Sequence, residues 1–290
     1  MTTQRLAPLP ADLLWLRRLF TVFAVLGVYS AARAWRTPDA GGPHFDMLYH
    51  LVLLPLMGGA CVAAWRGHLR TFVLLAVVDR AISGFGALLY FLMMALPSSM
   101  FHSTNHPDYL AWNFLSVALS TTLLIYLSRK YPPDVQAISG RAPIALRMLQ
   151  GGLFLVAAAI AIDIAPELRR HVTEESPHGH SCSWLLAQAL VVVLLGCAFV
   201  ACVRKKGATF VSLGLIGSTL TAFFNFTHLI MDSFQDKAYG TAYDPTYLSR
   251  NLPVFAFALF SVVYLARRFP PRITAPAKPS AAETPSPAAD

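Results

Sequence analysis

Charge is the scarcest property of this 290-residue chain: only 13% of its residues are Asp, Glu, Lys or Arg, while 56% are apolar. Soluble globular chains carry about twice that charged share. The deficit excludes a cytosolic enzyme, a disordered chain and an ordinary nucleic-acid binder. Cysteine is scarce too. Three of the four (Cys61, Cys197 and Cys202, with Cys182 the exception) lie inside apolar stretches, where thiols pack as small apolar groups. No disulfide framework of a small secreted domain follows. The chain also lacks a P-loop, a G-x-S-x-G elbow and an H-E-x-x-H pair, and its seventh apolar segment has no Lys for a retinal Schiff base. No alternating strand pattern is present, which argues against a membrane barrel.

What is present is a set of eight apolar segments: Leu14–Ala34, Met47–Trp65, Thr71–Leu96, Leu110–Leu127, Leu149–Ile164, Trp184–Val203, Thr209–Met231 and Asn251–Ala266. Each spans about 16–25 residues, a length that crosses a bilayer as a helix. The expected fold class is therefore all-α, a polytopic membrane protein with eight transmembrane helices. The first segment also has a signal-peptide layout, with Arg17-Arg18, an apolar core and Ala32-Arg33-Ala34. The repeat described below needs it as a partner for the fifth helix, so it is read as a retained helix.

Basic residues sort by side. Arg5, Arg17, Arg18, Arg66, Arg70, Arg129, Lys130, Arg141, Arg147, Arg204, Lys205, Lys206, Arg267, Arg268, Arg272 and Lys278 share one side of the membrane, and Arg33, Arg36, Arg169, Arg170, Lys237 and Arg250 the other. The positive-inside rule then places both termini in the cytoplasm, and the Ala/Arg/Pro-rich character suggests a bacterial plasma membrane. The high pI of 9.5 sets orientation and gives no sign of nucleic acid as a partner. The opposite loops hold acids and histidines. Among these, His178-Gly179-His180-Ser181-Cys182 with His102 and His106 match no strong metal-ligand spacing, so neither a metal nor another cofactor is expected.

The chain repeats itself at an offset of 138 residues. Tyr126 to Pro133 match Tyr264 to Pro271; Pro107, Tyr109, Leu110 and Asn113 match Pro245, Tyr247, Leu248 and Asn251; Thr71-Phe72-Val73 match Thr209-Phe210-Val211. An ungapped offset that keeps polar and Pro positions points to a duplicated four-helix unit. An even helix number makes the copies parallel, with a pseudo-twofold along the membrane normal. The expected organisation is a first repeat at 1–134, a cytoplasmic linker at 135–145, a second repeat at 146–271 and a disordered tail at 272–290.

Polar residues inside the segments are the candidate site. They are His50 with its repeat partner Gln188, Asp79, Arg80, Tyr90, Asn113, Asn225, His228 and Asn251. Asp79, Ser83, Gly86 and Tyr90 fall on one helical stripe, matched by Gly217, Thr221, Phe224 and His228. Asp79-Arg80 is the one deep charged pair, and ionised residues at such depth are costly enough to mark function. Two readings stand: a structural clasp or a ligand contact. Adjacent helical residues do not share a face, so different partners are expected for the two.

Three local patterns carry a family resemblance. Gly86-Ala87-Leu88-Leu89-Tyr90-Phe91-Leu92, His106-Pro107-Asp108-Tyr109 leading to Trp112, and the turn Arg66-Gly67-His68 resemble the EXPERA domain of emopamil-binding and transmembrane-6-superfamily proteins. The likeness covers about residues 15–133, with an echo in 146–271. It implies a cavity among four helices that holds a sterol or other lipidic small molecule, and a role in lipid homeostasis. In the isomerase branch, a His and a Glu on helix one and a Glu on helix two move protons. Here helix one has neither, and the helix-two position is His50. Asp79 and His50 are then the candidate acid–base pair of the isomerase alternative, and a small-molecule transporter is a third reading. The expected partners are the membrane and the lipid, with a second copy of the chain left open.

Overall fold

The computed structural model describes residues 11–36, 45–95, 107–135, 144–173, 182–239 and 245–273. It is all-helical: α1 Ala11–Arg36, α2 Phe45–Trp65, α3 Leu69–Ala95, α4 Pro107–Lys130, α5 Ile144–Thr173, α6 Cys182–Val203, α7 Gly207–Tyr239 and α8 Pro245–Arg268. Among the described residues, seven helices are long and apolar enough to cross a membrane, and α2 adds a shorter apolar run, Tyr49–Trp65. This is the architecture of a polytopic membrane protein. Side chains such as Val25, Ile162 and Phe114 stay exposed, as lipid-facing positions do.

The segments read from hydropathy all become helices, most of them longer than their apolar cores. α5 runs to Thr173 and α7 to Tyr239, well past Ile164 and Met231. Apolarity marks what lies in hydrocarbon, whereas the backbone hydrogen-bond ladder continues until a cap or a breaker stops it. Pro107 and Pro245 stand first in α4 and α8, where a fixed φ and a missing N–H cost nothing.

Consecutive helices pack on one another within α1–α4 and within α5–α8, and α3 and α7 pack on each other across the two halves. These two are the central helices: 72% and 67% of their apolar windows are buried, against 17–28% for the other spans. Phe85 meets Phe224 edge to face at 5.9 Å, and Tyr49 meets Phe223 at 6.2 Å. Each such pair adds about 0.5–1.5 kcal/mol beyond its buried area.

Several local structures recur 138 residues apart. The α2–α3 turn closes with His68 N donating to Ala63 O and Gly67 N to Ala64 O; Lys206 N to Ala201 O and Lys205 N to Cys202 O close the α6–α7 turn in the same way. This is the Schellman pattern, which puts its penultimate residue in the left-handed region: Gly67 at φ 75° and Lys205 at φ 57°. At the same end, Asp134 N donates to Pro270 O at 2.9 Å and Arg272 N to Pro132 O at 2.8 Å. They form a short antiparallel bridge centred on Pro133 and Pro271. Exchanging the two halves turns each of these bonds into the other. Helices α1 and α5 bury apolar residues at the same spacing, Leu13, Leu16 and Phe20 in one and Leu146, Leu149 and Leu153 in the other, an offset of 133.

Most of the expected linker, and the tail from residue 274, lie outside the described residues.

Candidate functional site

Asp79 lies ten residues into α3, about 15 Å along its axis, and is fully buried. Its bonded partner is its own neighbour. Arg80 Nε donates to Asp79 Oδ2 at 2.8 Å, and Nη2 donates to the same oxygen at 2.6 Å. The expectation of separate partners is therefore overturned. Side chains at successive helical positions diverge by about 100°, but the arginine arm is long enough to curl back over that angle. No other carboxylate bonds to it among the described residues, and leaving either ion unpaired at this depth costs several kcal/mol. The guanidinium also lies over two rings of α1, with its Cζ 4.4 Å from the centroid of Phe23 and 5.4 Å from that of Phe20.

Both donors converge on Oδ2, and Asp79 Oδ1 is left buried with no hydrogen-bond partner. Among the described residues, two further buried polar atoms share that condition, Ser218 Oγ and Thr219 Oγ1 of α7. Hydroxyls elsewhere bond back to their own helix: Thr21 to Arg17 O, Thr221 to Gly217 O, Thr227 to Phe224 O and Ser261 to Phe257 O. The sequence reading missed Ser218 and Thr219 because a membrane helix normally absorbs its hydroxyls in this way.

The position of Arg80 on α3 follows from its neighbours. Phe72 faces α1, where it meets Phe20 at 5.4 Å. Gly84 faces α4 so closely that an added Cβ would come 2.9 Å from Cβ of Ser120. At about 100° per residue, Arg80 falls between them, roughly 80° from Phe72 and 40° from Gly84. It therefore points to the side between α1 and α4. Neither α1 with α4 nor α5 with α8 makes more than a marginal contact.

The other candidates are placed as follows. His50 Nε2 lies 3.2 Å from Ser30 Oγ of α1. Its neighbour Tyr49 crosses to α3, where its hydroxyl donates to Ser83 O at 3.3 Å and its ring covers Gly86. The glycine of the helical stripe thus serves a close helix approach, a role the motif alone did not reveal. Asn225 is buried, with Nδ2 donating to Thr221 O at 2.8 Å. Tyr90, Asn113, Gln188 and Asn251 are half-buried. All of these but Gln188 already have partners. The side chain of His228 lies outside the described residues. Asp79 and Arg80 are thus joined directly, while Asp79 and His50 are not bonded to each other.

A small cavity of about 30 Å³ lies between the halves at the basic end, lined by Val77, Leu215, Ser128, Ser212, Tyr131 and Phe269 among others. That is room for a water molecule or two, far too little for a lipid. Among the described residues no group of three or more His, Cys, Asp or Glu is arranged to hold a metal ion.

Chemically, the arrangement offers one buried acceptor, Asp79 Oδ1, beside a guanidinium whose Nη1 makes no hydrogen bond among the described residues. It is set against aromatic rings at mid-helix depth. An acceptor and a donor side by side match a hydroxyl group, which needs one of each. Comparison with family models, with curated proteins and with solved structures finds no match to this chain.

Proposed function

We propose that this protein binds a lipidic small molecule carrying a hydroxyl group, such as a sterol-like alcohol, on the side of the first four helices that lies between α1 and α4. The carrying observation is the unpartnered Asp79 Oδ1. Buried polar atoms are nearly always bonded, and an orphaned carboxylate oxygen is the costliest exception. The ligand's O–H donates to Oδ1 and its oxygen accepts from Arg80, while the apolar body lies between α1 and α4 over Phe20 and Phe23. Binding is preferred to double-bond isomerisation because Asp79 is held by Arg80, not His50.

The same reading makes the chain two copies of one four-helix unit, EXPERA-like in character, related by a pseudo-twofold along the membrane normal. The support is the set of turns and bridge bonds that exchange under the 138-residue shift, since an isologous contact pairs i with j and j with i. The asymmetry of basic residues supports a plasma-membrane protein with both termini in the cytoplasm, acting in lipid homeostasis.

The test is mass spectrometry of lipids that co-purify with the detergent-extracted chain. The wild type is expected to enrich one hydroxylated amphipathic lipid over the bulk membrane. The double variant Asp79→Ala/Arg80→Leu, which removes both charges together, is expected to lose it while keeping its helicity. A wild type with no enriched lipid, or equal enrichment in the double variant, refutes the assignment.

A further inference from the structure

The second half carries the same helices as the first, yet its counterpart space is filled. Asp79 corresponds at the 138-residue offset to Gly217, and Leu195 of α6 lies against that glycine, its Cδ2 2.6 Å from where a Cβ would stand. The side between the first and fourth helices is also shut. Phe257 of α8 lays its ring on Gly152 of α5 so closely that any side chain at 152 would overlap it. In the first half the matching residues are Leu119 on α4 and, at the α1–α5 offset of 133, Leu19 on α1. Two leucines replace a ring seated in a glycine notch.

We infer that the chain holds one ligand site rather than two, and that Phe257 is the side chain closing the second. This rests on the lipid-binding reading above. The closed half retains the means to hold a hydroxyl: Ser218, the counterpart of Arg80, has a buried Oγ with no partner. Removing the ring opens an apolar slot with that group available to it. Conversely, an aromatic residue at 119 crowds the side between α1 and α4 where the lipid is proposed to lie, since Leu119 is 37% exposed and can be enlarged.

The test counts dehydroergosterol molecules per chain by native mass spectrometry, on delipidated protein in phosphatidylcholine nanodiscs. Wild type is expected to hold one, Phe257→Ala two with the second weaker, and Leu119→Phe to bind at least tenfold more weakly than wild type. A wild type that holds two sterols overturns this inference while leaving the binding reading intact. One that holds none overturns both this inference and a sterol as the ligand. Phe257→Ala remaining at one removes Phe257 from the role. Should that variant fail to fold, Leu119→Phe decides alone, and unchanged affinity there overturns the inference.

Discussion

Where α1–α4 carry a carboxylate and a guanidinium, α5–α8 carry Gly217 and Ser218. Around this exchange the two halves share almost every structural device: the same turn bonds, the same bridge bonds and the same buried Phe72 and Phe210. The differences lie in the centre of α3 and α7, at residues 79–80 and 217–218, and in how the outer helices seat. In one half, a buried ion pair leaves an oxygen without a hydrogen-bond partner. In the other, Leu195 and Phe257 sink onto glycines. If the two halves are copies of one unit, as proposed, they keep the turns and bridge that join the helices and diverge in the side chains at residues 79–80 and 217–218.

Breaking the ion pair should have the largest effect. Asp79→Ala strands Arg80 in the interior and is expected to destabilise the protein by about 3–5 kcal/mol, read as a lowered melting temperature in detergent. Adding Arg80→Leu should return most of that loss, because an apolar pair removes the uncompensated charge. No recovery would mean the pair does more than balance itself. The second half should respond to crowding instead: Gly152→Val is expected to cost about 1–3 kcal/mol by forcing the Phe257 ring aside. The same change combined with Phe257→Ala should cost much less. Additive effects in that cycle would show that the two sites do not touch. The smallest effect separates the two turns. Gly67→Ala should lose about 1–2 kcal/mol at its left-handed φ, while Lys205→Gly should gain a few tenths to about 1 kcal/mol by relieving the same conformation. Equal responses at both turns would break the parallel.

The fold was largely legible because membrane helices are written in charge spacing. Clumps such as Arg66, Arg70 and Arg204–Lys206 punctuate the chain at intervals the bilayer sets. The offset of 138 was visible in α2–α4 because Pro, Tyr and Asn positions recur. It was invisible in α1 and α5, whose shared register of 133 rests on aliphatic and aromatic residues that recur by chance in any apolar stretch. The site was legible only as a residue pair. Asp79-Arg80 stood out by its cost, but its mutual bonding depends on a flexible arm that helical-wheel geometry does not describe. Phe20 and Phe23, which receive the guanidinium, look in sequence like any lipid-facing aromatics. The Tyr49–Gly86 and Phe257–Gly152 seats need two distant segments at once, and only the packed structure shows them.

The bridge between Pro133 and Pro271 also orders assembly in time. Its two bonds join residues far apart in the chain, so Asp134 N and Pro132 O remain unpaired by their final partners until α8 has been synthesised and inserted. Until then water can bond those backbone groups, and closure over so long a span is slow relative to local helix formation. The bridge thus closes only after α8 is in place, later than the α3–α7 contacts that already join the two halves.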